Sequence, residues 1–167
     1  MHPYPFASSF QIGNRKVGYG APVLFIAEAG VAHFGDIEMA HLLVDLAAKA
    51  GADVFKTQVF DVDRLFSKDA LEWRERLRPR NLTFEECREL RQACDDKGLL
   101  FVATAHEESR IPWLSQLDVP AVKVGSGERN NPEFLKKLAN LGKPMIVSTG
   151  MYNDMDVLEA LDALAAV

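Results

Sequence analysis

Five times between residues 23 and 149 the chain runs through a short apolar stretch, breaks at once into polar or ionisable side chains, and continues into a helix-like segment. The apolar stretches are VLFIAEAG (23–30), ADVFKTQVF (52–60), LLFVATA (99–105), AVKVGS (121–126) and PMIVST (144–149). At or just after their ends stand Glu28, Lys56 with Gln58, Thr104 with His106, Lys123 with Ser126 and Glu128, and Ser148 with Thr149. Polar chemistry gathered at successive strand ends is the mark of an active site built on a β/α barrel. Lysine and glutamate are poor strand residues and costly to bury, so their recurrence asks for a common ligand.

The segments between the stretches carry helix signals. Helices are expected over residues 36–50, 83–97, 108–117, 132–140 and from about Asp154. Thr83-Phe84-Glu85-Glu86 has the spacing of a capping box, Asn131-Pro132 places proline at a first helical position, and Gly51 and Gly98 suit left-handed C-terminal stops. The strands are continuous apolar runs, as expected when helices cover one face and packed side chains the other. Ahead of them FQIGNRKVG predicts a hairpin turning at Gly13-Asn14. Residues 61–81 form a longer insertion with six basic and five acidic residues. It reads as a mostly solvated excursion with a short helix at residues 71–77, in the place where a barrel carries a natural lid.

An open doubly wound sheet would also alternate strand and helix, but it carries a glycine-rich fingerprint after its first strand. Here Gly30 and Gly35 in EAGVAHFGD are too far apart for it, and GSGERN follows the wrong strand. The expected fold is therefore α/β, a (β/α)8 TIM barrel of which about five βα units are present. Residues 1–22 are the hairpin and residues 23–167 the barrel units. Eight units need about 250 residues, so the chain is expected to be the N-terminal part of a longer protein.

Composition narrows the class of partner. The 167 residues are 48% hydrophobic and 26% charged, ordinary for a globular domain, and the formal charge of −5 argues against a nucleic-acid binder. No apolar run is long enough to span a bilayer and no signal peptide opens the chain, so a cytoplasmic protein without membrane contact is expected. Cys87 and Cys94 lie two turns apart on one predicted helix, roughly 10 Å, too far for a disulfide. They are expected to be reduced on a packed face.

Two lysines inside apolar strands, with the hydroxyls of Thr104, Ser126, Ser148 and Thr149, make a site for a phosphorylated carboxylic acid. Each lysine could instead pair with a nearby carboxylate, Glu28 or Glu128, which would leave the hydroxyls without an account. Glu28 and Glu128 are the carboxylates best placed for proton transfer or for holding a sugar hydroxyl. Asp53, ahead of its strand, belongs at the opposite, stabilising end. His33 and His106 show no metal-ligand spacing and read as surface or hydrogen-bonded histidines.

The segments AEAGVAHFGD, KTQVF, VKVGSGE and VSTGM resemble the sialic acid synthase family, the phosphoenolpyruvate-dependent synthases of nine-carbon acidic sugars. The resemblance runs from about Val23 to the C-terminus and is weak only in the insertion. It implies condensation of phosphoenolpyruvate with an N-acetylated hexosamine such as N-acetylmannosamine. Lys56, Thr104, Ser126 and Ser148 would contact the phosphate and Lys123 the carboxylate. Gln58 and Glu128 would face the sugar, and Glu28 would lie near the metal and the reacting carbons. It further implies a homodimer and a divalent metal, Mn2+ or Mg2+, whose histidine ligands lie outside this chain, so that these residues alone should be nearly inactive. A sugar-phosphate acceptor, as in the 3-deoxy-ulosonate phosphate synthases, is the alternative, and a non-enzymatic barrel fragment acting by association is a further one. Ala32 stands where the family has asparagine, and Ala105-His106 where it has proline-phenylalanine, which alters the sugar end of the site.

Overall fold

A computed structural model describes residue 4 and residues 6–167. Two units emerge by contact, Leu24–Val119 and a second that joins the N-terminal residues up to Val23 with Pro120–Val167.

In the contiguous unit, three parallel strands lie in the order β3 (Ile26–Gly30), β4 (Val54–Val59), β5 (Leu100–Ala105). β3 is shorter than its apolar run because Phe25 is spent on the strand entrance. Its N–H donates to the Asp53 carboxylate at 2.8 Å, and its carbonyl accepts from the N–H groups of Asp53 and Val54. Asp53 thus sits at the end expected of it, tying the two strand starts. Helix α1 (Ile37–Lys49) begins where Asp36 accepts from the N–H groups of Glu38 and Met39, and buries Ala40, Val44 and Ala47. Those three recur at helical spacing and pack one face onto the sheet and α4 (Phe84–Asp96).

The capping box at Thr83 is complete, with Glu86 returning to the Thr83 N–H at 2.6 Å, and α4 buries Cys87, Leu90 and Cys94. Both cysteines are free, and burial pushes each thiol up to about 12. A thiolate is the reactive form, so native protein at pH 8 is expected to leave a thiol-specific chromogenic reagent unreacted, with both groups appearing only on denaturation. Rapid reaction of either thiol in the native state would contradict this burial. After β5 the expected single helix is a 3-10 turn (Glu108–Arg110) leading into α5 (Ile111–Gln116), with Pro112 in its first turn.

The insertion is folded, and most of its charged side chains are exposed, as expected of a solvated excursion. It forms a one-turn helix α2 (Val62–Leu65), α3 (Leu71–Leu77) where a short helix was predicted, and a 3-10 turn at Arg78–Arg80. Arg74 and Arg78 both bind Asp63, and the two guanidiniums hold its carboxyl down at about 2. Arg80 stacks on the Phe34 ring at 4.3 Å. The insertion also presses on the β3–α1 turn, where Gly35, at φ +83°, meets the Pro79 carbonyl so closely that a Cβ would stand 1.6 Å from its oxygen. Asp63 gathers two of the insertion's arginines, while Lys68, Asp69, Glu72 and Glu75 are exposed.

The second unit holds the predicted hairpin, β1 (Ser9–Ile12) and β2 (Arg15–Gly18), joined by Gly13-Asn14 with Gly13 at φ +57°. It also holds a parallel pair, β6 (Val122–Val124) and β7 (Met145–Val147), each followed by a helix, α6 (Pro132–Ala139) and α7 (Asp154–Ala165). Asn131 caps α6 ahead of Pro132, as predicted, while α7 opens on a second capping box, Asn153 with Asp156. Phe6, Ala7 and Phe10 line an apolar cleft of about 450 Å³ with Met145, Val147 and Leu161. In chain order the strands from β3 onward give five βα units.

Candidate functional site

The eight side chains assigned to catalysis and substrate fall four in each unit. In the contiguous unit, register pairs Glu28 with Lys56 and Gln58 with Thr104. Side chains two apart share a face, so Glu28, Lys56, Gln58 and Thr104 stand on one side of the three-stranded sheet. Phe55 and Phe101, one residue offset, stack on the other side with centroids 6.5 Å apart. The alternation explains how charge survives inside strands that read as uniformly apolar.

Lys56 is 4% exposed, and its Nζ donates to Glu28 Oε2 at 2.6 Å. The Glu28 side chain is 52% exposed. The pairing with a neighbouring carboxylate therefore holds for Lys56, but an ammonium has three N–H donors and Glu28 takes one of them. Thr104 is 2% exposed and its Oγ1 has no hydrogen-bond partner. A buried hydroxyl left in that state costs free energy that a bound acceptor would recover.

The β3 end is irregular. The register slips between Glu28 and Gly30, so that Gly30 and not Ala29 stands opposite Thr57. Gly30 adopts φ +55°, and its carbonyl accepts from Thr57 Oγ1 at 3.0 Å. Neither the bulge nor Thr57 was anticipated, since a one-residue slip leaves no mark on an apolar run. His33 is fully buried and its Nδ1 accepts from the Gly35 N–H at 3.0 Å. Burial lowers its pKa, opposed by the Gly30 carbonyl and Glu86, so the imidazole is neutral. It is a hydrogen-bonded histidine, as expected, and it orders the turn that the insertion leans on. His106 sets its ring edge-on to Phe60.

In the second unit, Lys123 does not seek Glu128. Its Nζ donates to Ser148 Oγ at 2.6 Å, across the β6–β7 pair, and to the Val124 carbonyl. Ser126 and Glu128 bound a 3-10 turn after β6. Glu128 is half-buried, and burial raises its pKa against the hydrogen bond from Asn131 Nδ2 at 3.0 Å. Arg129 is held by Asp156 and the Met151 carbonyl, which anchors this turn to the start of α7. Asn131 and Arg129 were missed as supports because their partners lie across loops. Among the described residues no group of three or more His, Cys, Asp or Glu gathers as for a metal ion. No helix among them is long and apolar enough to cross a membrane.

Comparison with known proteins adds three findings. The model of the NeuB family matches residues 43–167. The spore coat polysaccharide biosynthesis protein SpsE of Bacillus subtilis is 35% identical over 95% of this chain and 45% of its own. Human N-acetylneuraminate-9-phosphate synthase is 34% identical over 87% of this chain and 44% of its own, so the chain spans under half the length of these two relatives. Among solved structures, the N-acetylneuraminic acid (sialic acid) synthetase of Leptospira borgpetersenii superimposes with a TM-score of 0.89 at 28% identity, over 93% of this chain and 54% of that one. The fold class is accordingly the α/β TIM barrel, represented here by five of its βα units.

Proposed function

We propose, since the chain belongs to the NeuB family, that the full-length protein condenses phosphoenolpyruvate with an N-acetylated hexosamine to give a nine-carbon sialic-acid-type sugar and phosphate. The observation that carries this reading is the face shared by Glu28, Lys56, Gln58 and Thr104, a buried cation and an unsatisfied hydroxyl beside a carboxylate and an amide. Phosphoenolpyruvate needs such a mixture, with fixed positive charge and hydroxyl donors for its anionic groups.

In this reading Lys56, Thr104, Ser126 and Ser148 hold the phosphate and Lys123 the carboxylate. Gln58 and Glu128 orient the sugar. The methylene carbon of the enol attacks the aldehyde carbon, a carbon–carbon bond forms, and the aldehyde oxygen takes a proton. Glu128 suits that donation, because burial keeps its proton bound to higher pH than an ordinary carboxyl. Water then adds to the electron-poor carbon, which still bears the phosphate. Glu28, through the oxygen not engaged by Lys56, takes one proton of that water. The new hydroxyl passes its remaining proton to the departing phosphate as the carbon–oxygen bond to phosphate breaks, so that a ketone forms and inorganic phosphate leaves.

A divalent cation, Mn2+ or Mg2+, would polarise the aldehyde as a Lewis acid. The residues present do not fit one by themselves, since Glu28 is tied to Lys56 and His33 Nδ1 to a backbone N–H. Its ligands belong to the rest of the protein, and no step above is routed through it. We take the assembly to be a cytoplasmic homodimer without nucleic-acid or membrane partners.

Phosphate release by the full-length protein with added Mn2+ tests the reading. Turnover of phosphoenolpyruvate with N-acetylmannosamine or a related acetamido sugar, and none with arabinose 5-phosphate, is expected. Preference for the sugar phosphate, or no turnover with any acetamido sugar, overturns it.

A further inference from the structure

We infer that Thr57 is a positioning residue, whose hydroxyl pins the bulge at Gly30 and so holds the Glu28 carboxylate against Lys56. Thr57 is fully buried and stands on the opposite face from Lys56 and Gln58, so it touches none of the groups assigned to substrate. Its only polar atom is spent on the Gly30 carbonyl, at 3.0 Å.

That carbonyl needs the bond. Gly30 is buried, and at φ +55° its peptide is turned out of the extended conformation of the strand. Glycine visits both hands of backbone space freely, so an unpinned bulge has other conformations to fall into. What sits on the bulge makes the pinning matter. A Cβ built on Gly30 would lie 3.3 Å from Glu28 Oε1 and 3.6 Å from Gln58 Nε2, so the glycine is flanked by both functional groups. Glu28 is the last residue of β3 in regular register, immediately before the slip. Its side chain is half-exposed and paired with Lys56, and the bulge follows it directly along the backbone. A hydroxyl on one strand thereby sets a carboxylate on the next, through one carbonyl.

The kinetic part of the test rests on the synthase reading, and the structural part does not. In the full-length protein, Thr57→Val keeps the shape of the side chain and removes the donor. It is expected to lower kcat about tenfold or more, equivalent to about 1.4 kcal/mol, with KM for phosphoenolpyruvate within about twofold. Thr57→Ser restores the donor and is expected to recover kcat to within about threefold. Equal kcat in Thr57→Val and wild type, or Thr57→Ser as impaired as Thr57→Val, overturns the inference by assigning the effect to packing. Where Thr57→Val does not fold, Thr57→Ala takes its place with the same expectations. A crystal structure of the donor-less variant is expected to show Glu28 moved out of contact with the Lys56 ammonium. An unchanged pair overturns the inference even if kcat has fallen. Should the wild-type protein show no synthase turnover, the functional reading fails, and the Glu28 displacement still decides the role of Thr57.

Discussion

Lys56→Met in the full-length protein is expected to reduce synthase turnover by about a hundredfold to a thousandfold, the effect of losing one preorganised charge from a reacting site. Stability should change little. Methionine fills the space of the lysine stem, which is 4% exposed in its strand. Removing one partner of a buried ion pair is usually severe because the other is stranded. Here the partner, Glu28, has a side chain that is 52% exposed, so water takes over its solvation. Steady-state kinetics and a thermal melt on the same preparation separate the two effects. Turnover within tenfold of wild type would remove Lys56 from the phosphate site, and a collapsed melting transition would make it a structural residue.

Gly35→Ala is expected to lower stability by about 3 kcal/mol or more. Two costs add there. Gly35 sits at φ +83°, and the new Cβ would lie 1.6 Å from the Pro79 oxygen and 2.8 Å from its carbonyl carbon, both backbone atoms that no rotamer change can move aside. Gly51 supplies the control, with φ +74° and nothing within 4 Å of a Cβ, so that only the conformational cost of about 1 kcal/mol remains. Urea unfolding of the two variants compares them directly. The insertion should also come loose in Gly35→Ala, and tryptic cleavage after Arg74, Arg76 and Arg80 should accelerate. Equal midpoints for the two variants would show that the insertion does not lean on this turn.

Most of the fold was legible because its signals are local. The capping box at Thr83, the proline start at Asn131-Pro132, the Gly13-Asn14 turn and the short helix at residues 71–77 all act within a few residues of themselves. The strand-end polar clusters were legible for the same reason, since a lysine in an apolar run is visible without knowing its partner. Partners were not. Lys56 and Lys123 look alike in sequence, yet one binds a carboxylate on a neighbouring strand and the other a serine hydroxyl. The slip in β3 was hidden because Ala29 is apolar and fits either register. Residues 61–81 were read as mostly solvated from their charge, and most of those charges are exposed, but the contact of Pro79 with Gly35 was not legible because it joins segments distant in sequence.

The second unit is assembled from two stretches of sequence, the hairpin segment and Pro120–Val167, with the whole of Leu24–Val119 between them. Phe6 and Phe10 can reach Met145, Val147 and Leu161 only after that intervening chain has been closed into a loop of roughly a hundred residues, at an entropic cost of about 4 kcal/mol. The contiguous unit meets no such delay. On the ribosome the contiguous unit is therefore expected to mature before the second one, and the hairpin, which emerges ahead of it, to find its place after it.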